Sequence, residues 1–370
     1  MNVVGNNRAL CITLAAVALV LSLARGVRGD DSYTQINLVS DVPGLAVTTD
    51  PNLVNPWGIS NSATSPYWIS DEGTNHSTLY NGAGAITPLV VSVPGGPTGT
   101  VDNTTAGTFL IGGTTASNFI FATLAGTIAA RTGTTSVVEA TVPGASFTGL
   151  ALATSGSNSY LYAANFVSGG GIQVFNSSYA PTTLAGSFTD PSIPAGYAPF
   201  NIQLIGTELY VTYAEVTAPG VASHSASGFV AVFNTDGSFV EQLISGGTLV
   251  PLDAPWGITL APSNFGTFSD DLLVGNFGNG EIDAFNPTNG AFVGTIDSTP
   301  GTPLVNADLW ALEFGNGNAG SNPDTLYFTA GIDRETEGLF GSIVAPEPSS
   351  LILLGTGLLG ILAARRKRLG

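Results

Sequence analysis

The chain has 370 residues, of which 44% are hydrophobic and only 9% charged, with 48 glycines and 22 prolines. That length allows one large domain, and apolar runs recurring throughout exclude a disordered chain. The formal net charge is −17, and between Asp30 and Ala345 only Arg131 and Arg334 stand against 25 of the 26 acids, which excludes a nucleic-acid partner or an anionic membrane surface for that stretch.

In chain order, residues 1–29 read as a secretory signal peptide: Arg8 supplies the positive start, Ala9 to Ala24 is apolar, and Val27-Arg28-Gly29 offers a cleavage site before Asp30. The single cysteine, Cys11, lies inside that segment, so the body has no disulfide, no cysteine-bound zinc and no thiol nucleophile. Tyr33 to Val39 is a lone strand followed by a turn, resembling the end of a repeat rather than its start. A last strand that arrives before any first strand predicts closure into the final repeat.

Six inner-strand starts follow: Pro56-Trp57-Gly58, Pro97-Thr98-Gly99, Phe147-Thr148-Gly149, Pro199-Phe200-Asn201, Pro255-Trp256-Gly257 and Leu309-Trp310-Ala311. Their second residues are spaced by 41, 50, 52, 56 and 54 positions, a period suited to propeller blades. Small residues at the third position suit crowding where strands converge on an axis. Second strands recur at Tyr67, Phe119, Tyr160, Leu209, Leu272 and Leu326. Third strands end on an aromatic-Asn pair four times, at Tyr80-Asn81, Phe175-Asn176, Phe233-Asn234 and Phe285-Asn286. The second repeat, through Gly126 to Arg131, lacks that pair. The clearest unit is Ala254 to Ser298, four short strands separated by the Asp270-Asp271, Gly278 to Gly280 and Asn286 to Gly290 turns. A four-stranded sheet of this size cannot bury both faces alone, and copies around an axis solve that problem. The expectation is an all-β, six-bladed β-propeller of four-stranded antiparallel blades over residues 30–345, closed by the N-terminal strand.

The G-I-x-L inner strands and runs such as LLVGNFGNGEIDAF resemble six-bladed propellers of the NHL and SMP-30 type. Past Val344, the order Pro346-Glu347-Pro348, apolar Leu351 to Ala364, then Arg365-Arg366-Lys367-Arg368 resembles a PEP-CTERM sorting segment over 346–370. That resemblance implies export in a Gram-negative bacterium and processing by an exosortase-type transpeptidase. The apolar run is short for a stable span, which suits transient membrane anchoring before the tail is removed. Together the two resemblances point to a family of PEP-CTERM propeller proteins at the cell envelope or in the extracellular matrix.

No Ser-His-Asp pattern is present, and the leading expectation is a noncatalytic module that binds an exopolysaccharide or an envelope protein. The alternative is a lactonase-like hydrolase using a divalent metal at the channel mouth. Residues just before inner strands (Asn55, Asp253, Asp308) and at or after second strands (Asp71, Asn165, Asn276, Asp333) reach one face of such a ring. In the SMP-30 type, oxygen ligands placed this way hold a cation, so Asp71, Asp253, Asn276, Asp308 and Asp333 are candidate ligands for Ca2+. Asn and Asp are also ordinary turn formers. If extended, Asp333, Glu335 and Glu337 share one face. His76 and His224, the two histidines, sit in Ser- and Gly-rich loops. Trp57, Tyr197, Trp256 and Trp310 are read as interblade packing, with a sugar-binding mouth as the alternative.

Overall fold

The computed structural model describes residues 32–103, 105–247 and 250–346. The segment expected to be a signal peptide, 1–29, and the expected sorting residues Glu347, Pro348, Arg365, Arg366, Lys367 and Arg368 lie outside them. Among the described residues no helix is long and apolar enough to cross a membrane. The fold is all-β and propeller-like.

Hydrogen bonding groups the main strands into five sheets. Four strands (Phe147–Ser155, Asn158–Asn165, Ile172–Asn176, Pro181–Thr182) form one, and Pro255–Leu260, Leu272–Asn276, Ile282–Phe285 and Phe292–Thr295 form another. Tyr197–Ile205, Glu208–Ala218, Phe229–Asn234 and Phe239–Ser245 form a third, with Val221–Ala222 paired on Glu208–Ala218. An eight-stranded sheet contains the first two repeats, and its halves touch through one parallel pair, Thr135 with Ser92. In the last sheet Thr34–Ser40 lies antiparallel to Leu339–Val344, with Thr34 opposite Val344. The second repeat, which lacks the aromatic-Asn pair, still forms its third strand at Thr127–Thr132.

The aromatic-Asn pair has a clear physical reason. Tyr80, Phe175, Phe233 and Phe285 are fully buried, anchoring the third strand in the core. The asparagine stands at the strand end, and in three of the four its side chain caps the turn. Asn81 Oδ1 accepts the Ala83 and Ala85 N–H groups at 3.0 and 2.8 Å, Asn176 Oδ1 accepts those of Ser178 and Ala180 at 2.9 and 3.1 Å, and Asn286 Oδ1 accepts that of Thr288 at 2.9 Å. A short side-chain acceptor here satisfies turn amides that no strand can reach.

Inner strands converge on the axis. Pro56–Ser60 packs against Pro97–Asp102, which packs against Phe147–Ser155; contacts continue through Tyr197–Ile205 and Pro255–Leu260 to Leu309–Phe314, which returns to Pro56–Ser60. A Cβ on Gly58 would stand 2.5 Å from Thr98 O, and one on Gly257 would stand 2.5 Å from Trp310 O, so backbone takes the place a side chain would fill. The residue before each, a tryptophan, points to the centre. Trp57 stacks on Trp310 with centroids 3.4 Å apart, Trp256 meets both rings edge-on, and Phe200 and Phe277 complete an aromatic plug. Trp57, Trp256 and Trp310 are all buried, so packing is their arrangement here.

Candidate functional site

Above the plug, at the end where inner strands begin, polar side chains converge. Asn55, Ala254 and Asp308 occupy the same position in three repeats, each with a left-handed backbone (φ 45°, 48° and 52°). Asn and Asp adopt that region more readily than most residues. The bend turns the chain onto the axis and leaves the Asn55 and Asp308 side chains at the rim.

Asn55 is the keystone of this rim. Its Nδ2 donates to Glu72 Oε2 at 3.0 Å and to Glu335 Oε2 at 3.1 Å, while its Oδ1 accepts Trp310 Nε1–H at 3.0 Å. One amide therefore ties two carboxylates to the aromatic plug. Glu335 arrives on a left-handed turn, Asp333-Arg334-Glu335, with φ of 53°, 60° and 65°. The extended reading of this segment is thereby corrected: the turn sends Glu335 inward to Asn55, leaves Asp333 exposed, and sets Glu337 beside Asp41.

Electrostatics couple the rim further. Burial raises the Glu335 carboxyl above its ordinary range, the Asn55 hydrogen bond opposes this, and the charges of Asp308 and Glu72 add to it. Burial likewise raises Asp308, opposed by the nearby His224 and by the Glu335 and Arg334 backbone N–H groups. Asp253 is raised by burial, with the Ala226 N–H and His224 opposing. His224 is exposed, its Nδ1 is 3.1 Å from Gly278 O, and its ring lies 5.2 Å from that of Phe277. The loop histidine thus stands in the field of three carboxyls.

The expected cation ligands are distributed unevenly. Asp253 and Asp308 share the field of His224. Asn276 sits behind Asp253, fully buried, with Oδ1 accepting the Asp253 N–H at 3.0 Å and Nδ2 donating to Asp283 Oδ2 at 2.7 Å. Asp71 is enclosed in its own sheet, 0% exposed, with neither carboxyl oxygen hydrogen-bonded; burial and then nearby Asp50 push it well above the usual range, while Thr78 opposes. Asn165 Oδ1 accepts the Ser146 N–H at 3.0 Å and holds a turn. His76 lies opposite Asp71 in the strand register. Among the described residues no three His, Cys, Asp or Glu side chains form a group that could hold a metal ion. Glu72 escaped the sequence reading although its signal was available, since it directly follows the second strand, as Asp71 ends it.

A closed ring of inner strands, an aromatic hub and a polar rim define a propeller-like protein. Residues 344–368 match the PEP-CTERM protein-sorting motif. Two relatives come from Acanthamoeba polyphaga mimivirus: "Uncharacterized protein R648" is 33% identical over 329 residues, 83% of this chain and 78% of the relative, and "Uncharacterized protein L690" is 31% identical over 335 residues, 83% and 84% of the two chains. The chain belongs to the family of these mimivirus proteins. Among solved structures, regucalcin from Agrobacterium tumefaciens, a calcium-binding protein, is similar with a TM-score of 0.52 and 14% identity, covering 80% of this chain and 92% of that one. Apo aldose sugar dehydrogenase from Escherichia coli has a TM-score of 0.50 and 11% identity, covering 85% and 100%. These likenesses are of fold.

Proposed function

We propose that this is an exported, six-bladed propeller, sorted to the envelope of a Gram-negative bacterium, that acts as a noncatalytic binding module. Residues 30–345 are the binding body, 1–29 the secretory signal and 346–370 the sorting segment, which anchors the chain transiently until an exosortase-type enzyme processes it. The PEP-CTERM match at 344–368 supports the export and processing. The six-blade count is supported by the six inner strands in mutual contact and by the single pair, Thr135 with Ser92, joining the halves of the eight-stranded sheet.

The observation that carries the binding reading is the Asn55 rim: two carboxylates fixed on one amide, with Asp308, Asp253 and His224 beside them, over a floor filled by tryptophan. Fixed carboxylate acceptors beside aromatic rings suit the hydroxyls of an envelope or matrix polysaccharide. The test is binding of the purified protein to the polysaccharide fraction of its own cells. Glu335→Gln and Asp308→Asn should weaken retention at least fivefold with unchanged thermal unfolding. Retention unaffected by both variants would refute the site, and retention on envelope proteins instead would favour a protein partner.

The second reading is a divalent-metal lactonase-like hydrolase. What favours it is the field of burial-raised carboxyls, Asp253, Asp308 and Glu335, around His224, on a fold shared with a calcium-binding protein; a bound ion would have to draw these side chains closer together than they stand. Calcium-dependent lactone hydrolysis abolished by Asp308→Asn would establish it.

A further inference from the structure

The opposite end of the central channel holds a second polar site, formed where inner strands finish. A cavity of about 170 Å³ is lined there by Glu313, Asp102, Thr100, Gln203, Ser60 and Asn61, among others. Glu313 is the penultimate residue of Leu309–Phe314, and Asp102 the last of Pro97–Asp102. Both carboxyls stand on strands whose other residues are mostly apolar or small.

Three features show that this cavity is unsatisfied by the protein itself. Thr100 is 6% exposed, yet its Oγ1 has no hydrogen-bond partner. Asp102 Oδ1 is buried and likewise unpartnered. Burial raises Asp102 to about 6 and Glu313 to about 7. No lysine, arginine or histidine lines the cavity. Carboxylates withdrawn from water without an opposite charge are costly, and a cation in the same cavity reduces that cost.

We infer that this cavity binds a hard divalent cation of the calcium type, through the carboxylate of Glu313, the hydroxyl of Thr100 and the amide oxygen of Gln203, with Asp102 reaching it through bound water from the outer part of the cavity. Every donor is oxygen, and two carboxylates balance a double charge. The cavity exceeds one ion, so bound water completes the shell. The inference is independent of the polysaccharide reading, which concerns the other mouth.

Isothermal titration of the purified protein with calcium chloride tests it. The expected result is one saturable site with a Kd on the order of 10⁻³ M or tighter, the range of extracellular calcium modules. Glu313→Gln should weaken binding at least tenfold, and the near-isosteric Thr100→Val about threefold or more. Asp308→Asn, at the opposite mouth, should leave affinity within twofold. In chelator, Glu313→Gln should unfold at the same temperature as the wild type or higher, since it removes a buried carboxyl. Should Glu313→Gln fail to fold, Thr100→Val and Asp102→Asn decide. Absence of saturable binding up to about 10 mM, tenfold above that range, overturns the inference. So does affinity unchanged by the cavity variants, or affinity lost in Asp308→Asn alone, which would move the ion to the polysaccharide mouth.

Discussion

Asp283 gives the sharpest test of how burial shapes this molecule. It is fully buried beneath the rim, where Oδ2 accepts Asn276 Nδ2–H at 2.7 Å and Oδ1 accepts the Thr295 hydroxyl at 2.6 Å. Burial outweighs both bonds and raises the carboxyl from 3.8 to about 7. The folded state therefore holds its proton more tightly than the unfolded chain does. With the folded value above the unfolded one, the contribution of this group to stability is fully present below pH 3.8 and is lost as pH rises to about 7, by about 4 kcal/mol in all. Asp283→Asn carries no charge at any pH but loses one good acceptor, a cost of about 1 kcal/mol. The variant should be less stable than the wild type by about 1 kcal/mol at pH 4 and more stable by about 2–3 kcal/mol at pH 8. Urea unfolding of both proteins at pH 4, 6 and 8 measures this. Their difference isolates Asp283, because the other buried carboxyls titrate in both. A variant destabilised equally at pH 4 and pH 8 would refute the reasoning and mean that the two hydrogen bonds hold the charged form.

Gly58→Ala would place a methyl 2.5 Å from Thr98 O at the axis, and overpacking of this kind should cost about 1–3 kcal/mol, read as a lower urea midpoint at unchanged slope. Asn55→Ala leaves Trp310 Nε1 buried without its acceptor and puts a residue less tolerant of the left-handed region than Asn at φ 45°; together these should cost about 2–4 kcal/mol in the same assay. Removing residues 346–370 should change where the protein accumulates, from the envelope fraction to the periplasm or medium, in cell fractionation; an unchanged distribution would refute the sorting role.

The strand plan was legible because its signals are local and repeated. Tyr80-Asn81 and its three counterparts report a buried ring followed by a turn cap, and Trp57-Gly58 and Trp256-Gly257 report a ring aimed at the axis beside a crowded backbone. The closing strand was legible from its place in the repeat order, and it pairs with Leu339–Val344. The rim was legible only in part. Asn55, Asp253 and Asp308 follow from position, but Glu335 turns inward only because three successive residues adopt left-handed backbone, which nothing in Asp333-Arg334-Glu335 advertises. His224 lies 54 residues from Gly278, the backbone it touches, and such meetings come from tertiary packing. The channel carboxylates had a signal that went unread: Glu313 and Asp102 are charges within otherwise apolar or small-residue inner strands, where a carboxyl requires a reason to be retained.

The pairing of Thr34–Ser40 with Leu339–Val344 also bears on the order of events during folding. The two partners are separated by nearly the whole body, so the contact with the largest entropic cost is the one that seals the molecule. Until Leu339–Val344 is in place, Thr34–Ser40 lacks its antiparallel partner and is open to pairing with another chain. Until the seam shuts, the first-made strand of the body is its most exposed edge.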